Sequence, residues 1–250
     1  TELVVVAQDT TRYGEDIYGK SMLPELLTAL CEIDGFKWIR TLYCYPERIT
    51  DELLDVIAKE DKLVKYLDMP IQHCDKTILK RMNRRGDRET LTALIKKIRE
   101  KIPNVTLRTT LITGFPGETK EQFEELCEFV KEIRFERLGC FAYSPEEGTP
   151  AEKFEDQVPL KDRERRAEII MEEQMIISDS LNEAALDSEV EVVCEGFDRY
   201  AECYYGRSQA DAPEIDGKIF FLSEDKVRVG EYVKVKIDDT MDYDLIGSKM

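Results

Sequence analysis

The sequence predicts an α/β fold: a sheet of parallel strands, either open or wound into a partial barrel, followed by a small all-β barrel. Strand-like and helix-like segments alternate over residues 1–159, and strands separated by helices cannot pair as hairpins. One charged segment, 160–187, keeps helical apolar spacing and reads as a connector lying against the first part. From residue 188 that period stops, and short strand-like runs between glycine turns take over. The 250 residues suffice for one large domain and one small one.

The elements follow in order. Leu3–Asp9 is a continuous β-rich run. Met22–Ile33 has helical spacing, with Ser21 as its expected N-cap. Lys37–Cys44 is strand-like, and Thr50–Glu60 opens on a cap and is amphipathic. Tyr66–Ile71 is a short strand; Lys76–Met82 and Asp87–Ile102 are helices broken at Gly86. Thr106–Gly114 is β-branched, Thr119 with Gln122 opens a capping-box helix to about Ile133, and Arg137–Ser144 closes the series. The small barrel is expected from Glu189–Cys194, Ala201–Tyr205, Lys218–Leu222 and Tyr232–Ile237.

Five parallel strands are too few to close an eight-stranded barrel. In either remaining arrangement ligands bind beyond the C-terminal strand ends. Those ends are Gln8–Asp9, Tyr43–Tyr45, Gln72–His73, Gly114–Glu118 and Tyr143–Glu147.

Composition narrows the partners. Charged residues make up 36% of the chain and the net charge is −17. Such a surface repels phosphate backbones, so nucleic acid is not the expected main partner; a basic protein is. Residues 188–250 hold 8 basic and 15 acidic residues, so the small barrel shares this character. No apolar run approaches a membrane span. Seven dispersed cysteines without knuckle spacing read as reduced cytosolic thiols. The chain opens on Thr1, and it is expected to be a fragment.

Certain segments carry chemistry. In Leu107–Glu118 (LRTTLITGFPGE), alternation puts Arg108, Thr110 and Ile112 on one face, and Gly114 and Gly117 let the backbone turn sharply and approach a flat ligand. The plain alternative is an ordinary strand–turn–helix joint. In Leu67–His73 (LDMPIQH), Gln72 offers donors and an acceptor to a ribose or an amino acid. His73, the only histidine, is better read as polar lining than as a base. Gly206–Gly217 (GRSQADAPEIDG) carries Arg207, Asp211, Glu214 and Asp216 and suits a basic protein; its plain reading is a solvated turn.

Together VAQDTTRYG, WIRTLYCYPERIT, YLDMPIQH, LKRMNRRG, LRTTLITGFPGET, FAYSPEEGTPA and YGRSQADAPEIDG resemble the radical S-adenosylmethionine methylthiotransferases, over essentially the whole chain. GRSQADAPEIDG is most similar to the branch that modifies a ribosomal protein. The resemblance implies a partial (β/α) barrel over 1–159, a connecting helix over 160–187, and a substrate-recognising TRAM barrel over 188–250. It implies S-adenosylmethionine and two [4Fe–4S] clusters in the full-length protein. Gln8 and Asp9 match positions that hold the methionyl amino group, and Gln72 and Arg108 match contacts to ribose or carboxylate. Ile112, Gly114 and Gly117 match the adenine-lining segment, and Tyr143 and Ser144 the last strand's share of that pocket. Arg207, Asp211, Glu214 and Asp216 are expected to meet the substrate.

One departure stands out: the family's C-x-x-x-C-x-x-C motif and N-terminal domain are absent. No cysteine here is therefore carried over as a cluster ligand, and the fragment alone is expected to be inactive. For the intact protein the resemblance implies methylthiolation of an aspartate β-carbon, after hydrogen abstraction by a 5′-deoxyadenosyl radical. The implied substrate is protein twelve of the small ribosomal subunit, and the implied setting a cytoplasmic monomer. A tRNA methylthiotransferase of the same family, or a non-catalytic adaptor for a ribosomal protein, are the other readings.

Overall fold

The computed structural model describes Thr1–Met250. Strand β1 (Glu2–Val5) pairs in parallel with β2 (Trp38–Thr41). A single parallel bridge, Ile39 to Leu63, links β2 to the segment entering β3 (Tyr66–Asp68). Strands β3, β4 (Thr106–Thr113) and β5 (Arg137–Ala142) then pair in parallel, in chain order. The intervening helices are α1 (Glu15–Tyr18), α2 (Leu23–Cys31), α3 (Asp51–Lys59), α4 (Lys76–Arg81), α5 (Arg88–Lys101) and α6 (Lys120–Ile133). The result is a partial barrel of parallel strands.

Strand alternation divides the sheet into two faces. Ile39, Leu67, Leu107 and Leu111 point outward into the main core, against Leu54 and Ile57 of α3, Ile95 and Ile98 of α5, and Leu126 and Phe129 of α6. The helices begin where the sequence marks them. Thr50 accepts from the backbone of Leu53, and Thr119 and Gln122 satisfy each other's backbone. Each such cap is worth about 1 kcal/mol.

The predicted elements overrun the observed ones at the strand ends. Strand β1 stops at Val5 rather than Asp9, because Asp9 turns out of the ladder to accept from the Thr11 N–H at 3.1 Å. Ser21 does not cap α2; its hydroxyl donates to the Thr11 carbonyl at 2.6 Å, and the helix starts at Leu23 with Pro24 in its first turn.

Helix α7 (Leu160–Ala184) runs along β5 and α6 and buries Ile170 and Ile177 in the main core. Its first turn locks the β4–α6 joint. Arg163 donates to the carbonyls of Val158 and Tyr143, and its own carbonyl accepts from the Thr113 hydroxyl. Gly114 has φ +69°, and a Cβ there would run into the stem of Arg163. Gly117 has φ +82°, and a Cβ there would stand 2.6 Å from Asp156 Oδ2. Both glycines thus admit the chain's own 156–163 segment on the side where a Cβ would project.

Strands β6 (Glu189–Asp198), β7 (Cys203–Arg207), β8 (Ile219–Leu222), β9 (Tyr232–Met241) and β10 (Asp244–Lys249) form a closed barrel in the order β10-β8-β7-β6-β9. Strand β10, absent from the predicted set, pairs with both β8 and β9 and so leaves no open edge. Val192, Ile219, Phe221, Val233, Val235 and Ile237 fill its interior. The barrel packs into the concave side of the sheet. Trp38, Leu42, Val64 and Tyr66 meet Val193 and Ala212 in one buried cluster, and the Trp38 ring stands edge-on to Tyr232 at 4.8 Å.

Trp38→Ala should lower stability by about 3–5 kcal/mol, read from the urea midpoint. A loss under about 1 kcal/mol would show that the contact between sheet and barrel does not depend on this ring. Gly114→Ala should cost about 2–4 kcal/mol, combining left-handed backbone strain with overpacking against Arg163. Gly148→Ala is the control: its φ, +82°, is left-handed like that of Gly114, but open space surrounds it. Equal losses for the two would leave the α7 contact without weight.

Candidate functional site

The concave face of the sheet carries Val4, Trp38, Arg40, Tyr66, Asp68, Arg108, Thr110, Ile112, Arg137, Gly139 and Phe141, as alternation from the outward leucines requires. Its two halves differ. Near the strand starts it is filled and charged; near the strand ends it is open.

The filled half is a network shared with the barrel. Arg40 is fully buried, donates to Glu2 at 2.8 Å and to the Gln209 carbonyl at 2.9 Å, and stacks over the Tyr66 ring. Arg207 donates to Glu195 at 2.6 Å and to Glu2 at 2.8 Å. Arg137 donates to Asp211 at 2.6 Å. The Tyr66 hydroxyl donates to Asp216 at 2.6 Å. Burial, reinforced by the Asp216 carboxylate, raises the Tyr66 pKa far above its ordinary value, so the hydroxyl keeps its proton and remains a donor.

The loop expected to meet substrate is largely turned inward by this network. Arg207 and Asp211 are buried, and the Asp216 side chain is 5% exposed. They turn inward because Arg137, Arg108 and Tyr66 reach them from the sheet. Of the loop's charged residues expected to meet substrate, only Glu214 is exposed. Arg108 is likewise engaged: it donates to Asp68 at 2.9 Å and lies 3.5 Å from Asp216.

The open half holds the remaining candidates. Val6, Tyr43 and Phe141 are 59%, 42% and 60% exposed at their strand ends, and Thr110 and Ile112 are half-buried. Gln72 has φ +72°, uncommon for a residue with a side chain, and is held there by backbone bonds to Thr110 and Ile112. Its Oε1 is buried without a partner. Such an atom costs free energy unless a donor arrives. Gln8 is exposed, whereas Asp9 is spent on the Thr11 cap and a 3.6 Å ion pair with Arg48. Tyr143 is buried edge-on against Phe115 at 5.0 Å, and Ser144 is exposed. Beside β5 a cleft of 620 Å³ opens, lined by Arg108, Arg137, Gly139, Phe141, Glu214 and Asp216 among others. A 640 Å³ cleft around α5 is lined by Cys74, Asp87, Arg88 and Glu132 and by none of the candidates.

His73 is fully buried. Its Nδ1 accepts from the Asp75 N–H, which leaves the proton on Nε2, 3.4 Å from Glu118 Oε2. Glu118 accepts from the Gly114 N–H at 2.9 Å and from Arg166 at 2.5 Å. His73 and Glu118 therefore shape the joint after β4 from beneath, in keeping with polar lining. Sequence reasoning missed Glu118, Asp68 and Tyr66. Inward alternation of a carboxylate and a phenol in YLD was the available signal.

The open half suits a nucleoside bearing an amino acid: exposed rings, a half-buried apolar strand and one unsatisfied amide oxygen. An iron–sulfur cluster finds no ligand set in this segment. No three of its cysteines, histidine or carboxylates converge, and burial pushes the Cys44 and Cys140 thiols up to about 12.

Comparison with known proteins finds two families along the chain. Residues 10–130 match the family described as the radical SAM superfamily, and residues 188–249 match the TRAM domain. The chain is 51% identical over 247 residues to a ribosomal protein uS12 methylthiotransferase RimO of Lachnoclostridium phytofermentans, covering 99% of this chain and 56% of that protein. It is 48% identical over 246 residues to the protein of that name from Clostridium botulinum strain Okra, covering 98% and 55%. The chain thus spans about half the length of the curated relatives it matches. Among solved structures, coproporphyrinogen III oxidase HemN of Escherichia coli aligns with a TM-score of 0.48 and 24% identity, over 63% of this chain and 36% of that one. On its two domain matches and its half-identity to the RimO proteins, the chain belongs to the radical S-adenosylmethionine methylthiotransferase family.

Proposed function

We propose that this chain is the cofactor-holding and TRAM-bearing part of an enzyme that methylthiolates an aspartate β-carbon of ribosomal protein uS12. The observation that carries this reading is the 51% identity, over nearly the whole chain, to a protein named for that activity. The acidic balance of the chain, −17, supports a basic protein substrate over a nucleic acid. A cytoplasmic location follows from that substrate. The working division is 1–159 for the cofactor half, 160–187 for the connecting helix, and 188–250 for the barrel.

When bound, S-adenosylmethionine and an iron–sulfur cluster supply one-electron chemistry able to break an unactivated C–H bond. The chain's own residues hold and enclose. Gln72 Oε1 is the acceptor waiting for a donor, and Gln8 is the exposed polar group at the end of β1. Ile112, Phe141 and Tyr43 supply apolar surface, while Tyr143 and Phe115 brace the joint beside it. The barrel loop covers much of the strand-start side through Asp211 and Asp216. Cluster ligands come from outside this segment.

The test uses the full-length protein that contains this segment, reconstituted anaerobically with iron and sulfide. It should form 5′-deoxyadenosine from S-adenosylmethionine and add a methylthio group to uS12, seen by mass spectrometry. Gln72→Ala should weaken S-adenosylmethionine binding about fivefold, the weight of one hydrogen bond. Modification of tRNA and not of uS12 would overturn the substrate assignment. Absence of 5′-deoxyadenosine from protein with full iron content would overturn the chemistry.

A further inference from the structure

Asp216 belongs to the barrel, yet its contacts run through the sheet to the strand ends. Its Oδ2 accepts from the Tyr66 hydroxyl at 2.6 Å and from the Ala212 N–H at 2.8 Å, which fixes the carboxylate. Its Oδ1 lies 3.5 Å from Arg108 Nε. Arg108 Nη1 donates to Asp68 Oδ1 at 2.9 Å, and Asp68 Oδ2 accepts from the Tyr43 N–H at 2.9 Å. The Tyr43 carbonyl accepts from both the N–H and the hydroxyl of Thr10, each at 3.1 Å. Thr10 follows Asp9 directly, and Asp9 caps the turn there. One line of polar contacts therefore joins the barrel loop to the Tyr43 corner and the Gln8–Asp9 turn.

The line holds something that needs holding. Tyr43 has φ +58°, a left-handed backbone that a side-chain-bearing residue keeps only when its surroundings over-determine it. Asp68 supplies that hold with one carboxylate oxygen. Its other oxygen is fixed only by Arg108, a long side chain that can swing unless a second anion pins it. Asp216 is that second anion. The side chains of Asp68, Arg108 and Asp216 are 2%, 15% and 5% exposed, so water screens them little.

We propose that Asp216 is a positioning residue of the cofactor half: acting through Arg108 and Asp68, it sets the Tyr43 corner and the Gln8–Asp9 turn that border the open end of the sheet. The barrel is then part of the cofactor site and not a separable docking module. The link to S-adenosylmethionine rests on the function proposed above; the link to the Tyr43 corner does not.

Asp216→Asn in the full-length protein tests both. The amide oxygen can still accept from Tyr66 and Ala212, but the charge facing Arg108 is gone. The first measurement is backbone hydrogen exchange without S-adenosylmethionine. Peptides covering 41–45 and 8–13 should exchange about fivefold faster, with α5 unchanged as the internal control. A merely structural anchor would loosen the barrel strands and leave 41–45 as in wild type, and that result overturns the proposal. The second is calorimetric binding of S-adenosylmethionine, expected to weaken about fivefold. Faster exchange with unchanged binding would retain the positioning of Tyr43 and overturn its link to the cofactor. Wild-type protein that binds no S-adenosylmethionine would instead overturn the proposed function, and the exchange result would stand. Should Asp216→Asn fail to fold, Tyr66→Phe frees the same carboxylate without removing its charge. Faster exchange at 41–45 in that variant supports the proposal, and unchanged exchange overturns it.

Discussion

The contact between barrel and sheet depends on how two buried arginines, Arg40 and Arg207, and two partly buried ones, Arg108 and Arg137, are neutralised. Arg40, Arg108 and Arg137 of the sheet and Arg207 of the barrel meet there, with Glu2, Asp68, Glu195, Asp211 and Asp216 around them. Inside the assembled contact a charge that loses its partner costs several kcal/mol, so removing either side chain of a pair is more costly than the pair itself is stabilising. Three of the carboxylates, Glu195, Asp211 and Asp216, belong to the barrel, whereas Arg40, Arg108 and Arg137 belong to the sheet. The apolar cluster around Trp38 adds area to this contact, and the ion pairs fix its register.

That contact also decides where a ligand can sit. With the strand starts largely filled, the concave face is open at the strand ends and along the cleft beside β5. At those ends the rings of Tyr43 and Phe141 are exposed, Ile112 is half-buried, and the Gln72 amide oxygen is buried without a partner. The joint after β4 is shaped from behind by His73 and Glu118 and covered by Arg163. Protein groups take up every close approach to Gly114 and Gly117, so this joint serves as a rigid wall.

Much of this was legible in the sequence. Alternation of strand and helix gave the parallel order, and the capping pair Thr119–Gln122 and the cap at Thr50 marked true helix starts. The strand ends were less legible, because β1 stops where Asp9 finds a local backbone donor, a competition that β-propensity does not register. The burial of the barrel loop was illegible for a different reason. A run holding Asp211, Glu214 and Asp216 looks solvated until its partners are known, and those partners, Arg137 and Tyr66, lie 74 and 150 residues away. Gly114 and Gly117 were rightly singled out as backbone devices, but what presses against them, the 156–163 segment, is likewise remote in sequence.

A double-mutant cycle between Arg137 and Asp211 tests this dependence most directly. Their 2.6 Å contact is partly buried, with Arg137 19% and Asp211 4% exposed at the side chain, and it joins sheet to barrel. Arg137→Met and Asp211→Leu should each lower stability by about 3–5 kcal/mol, because each strands the other's charge. The double variant should cost much less than the sum, with a coupling of about 1.5–3 kcal/mol in urea titrations that unfold sheet and barrel together. Single losses that add to within about 0.5 kcal/mol, or separate transitions for sheet and barrel in the wild type, would contradict the account.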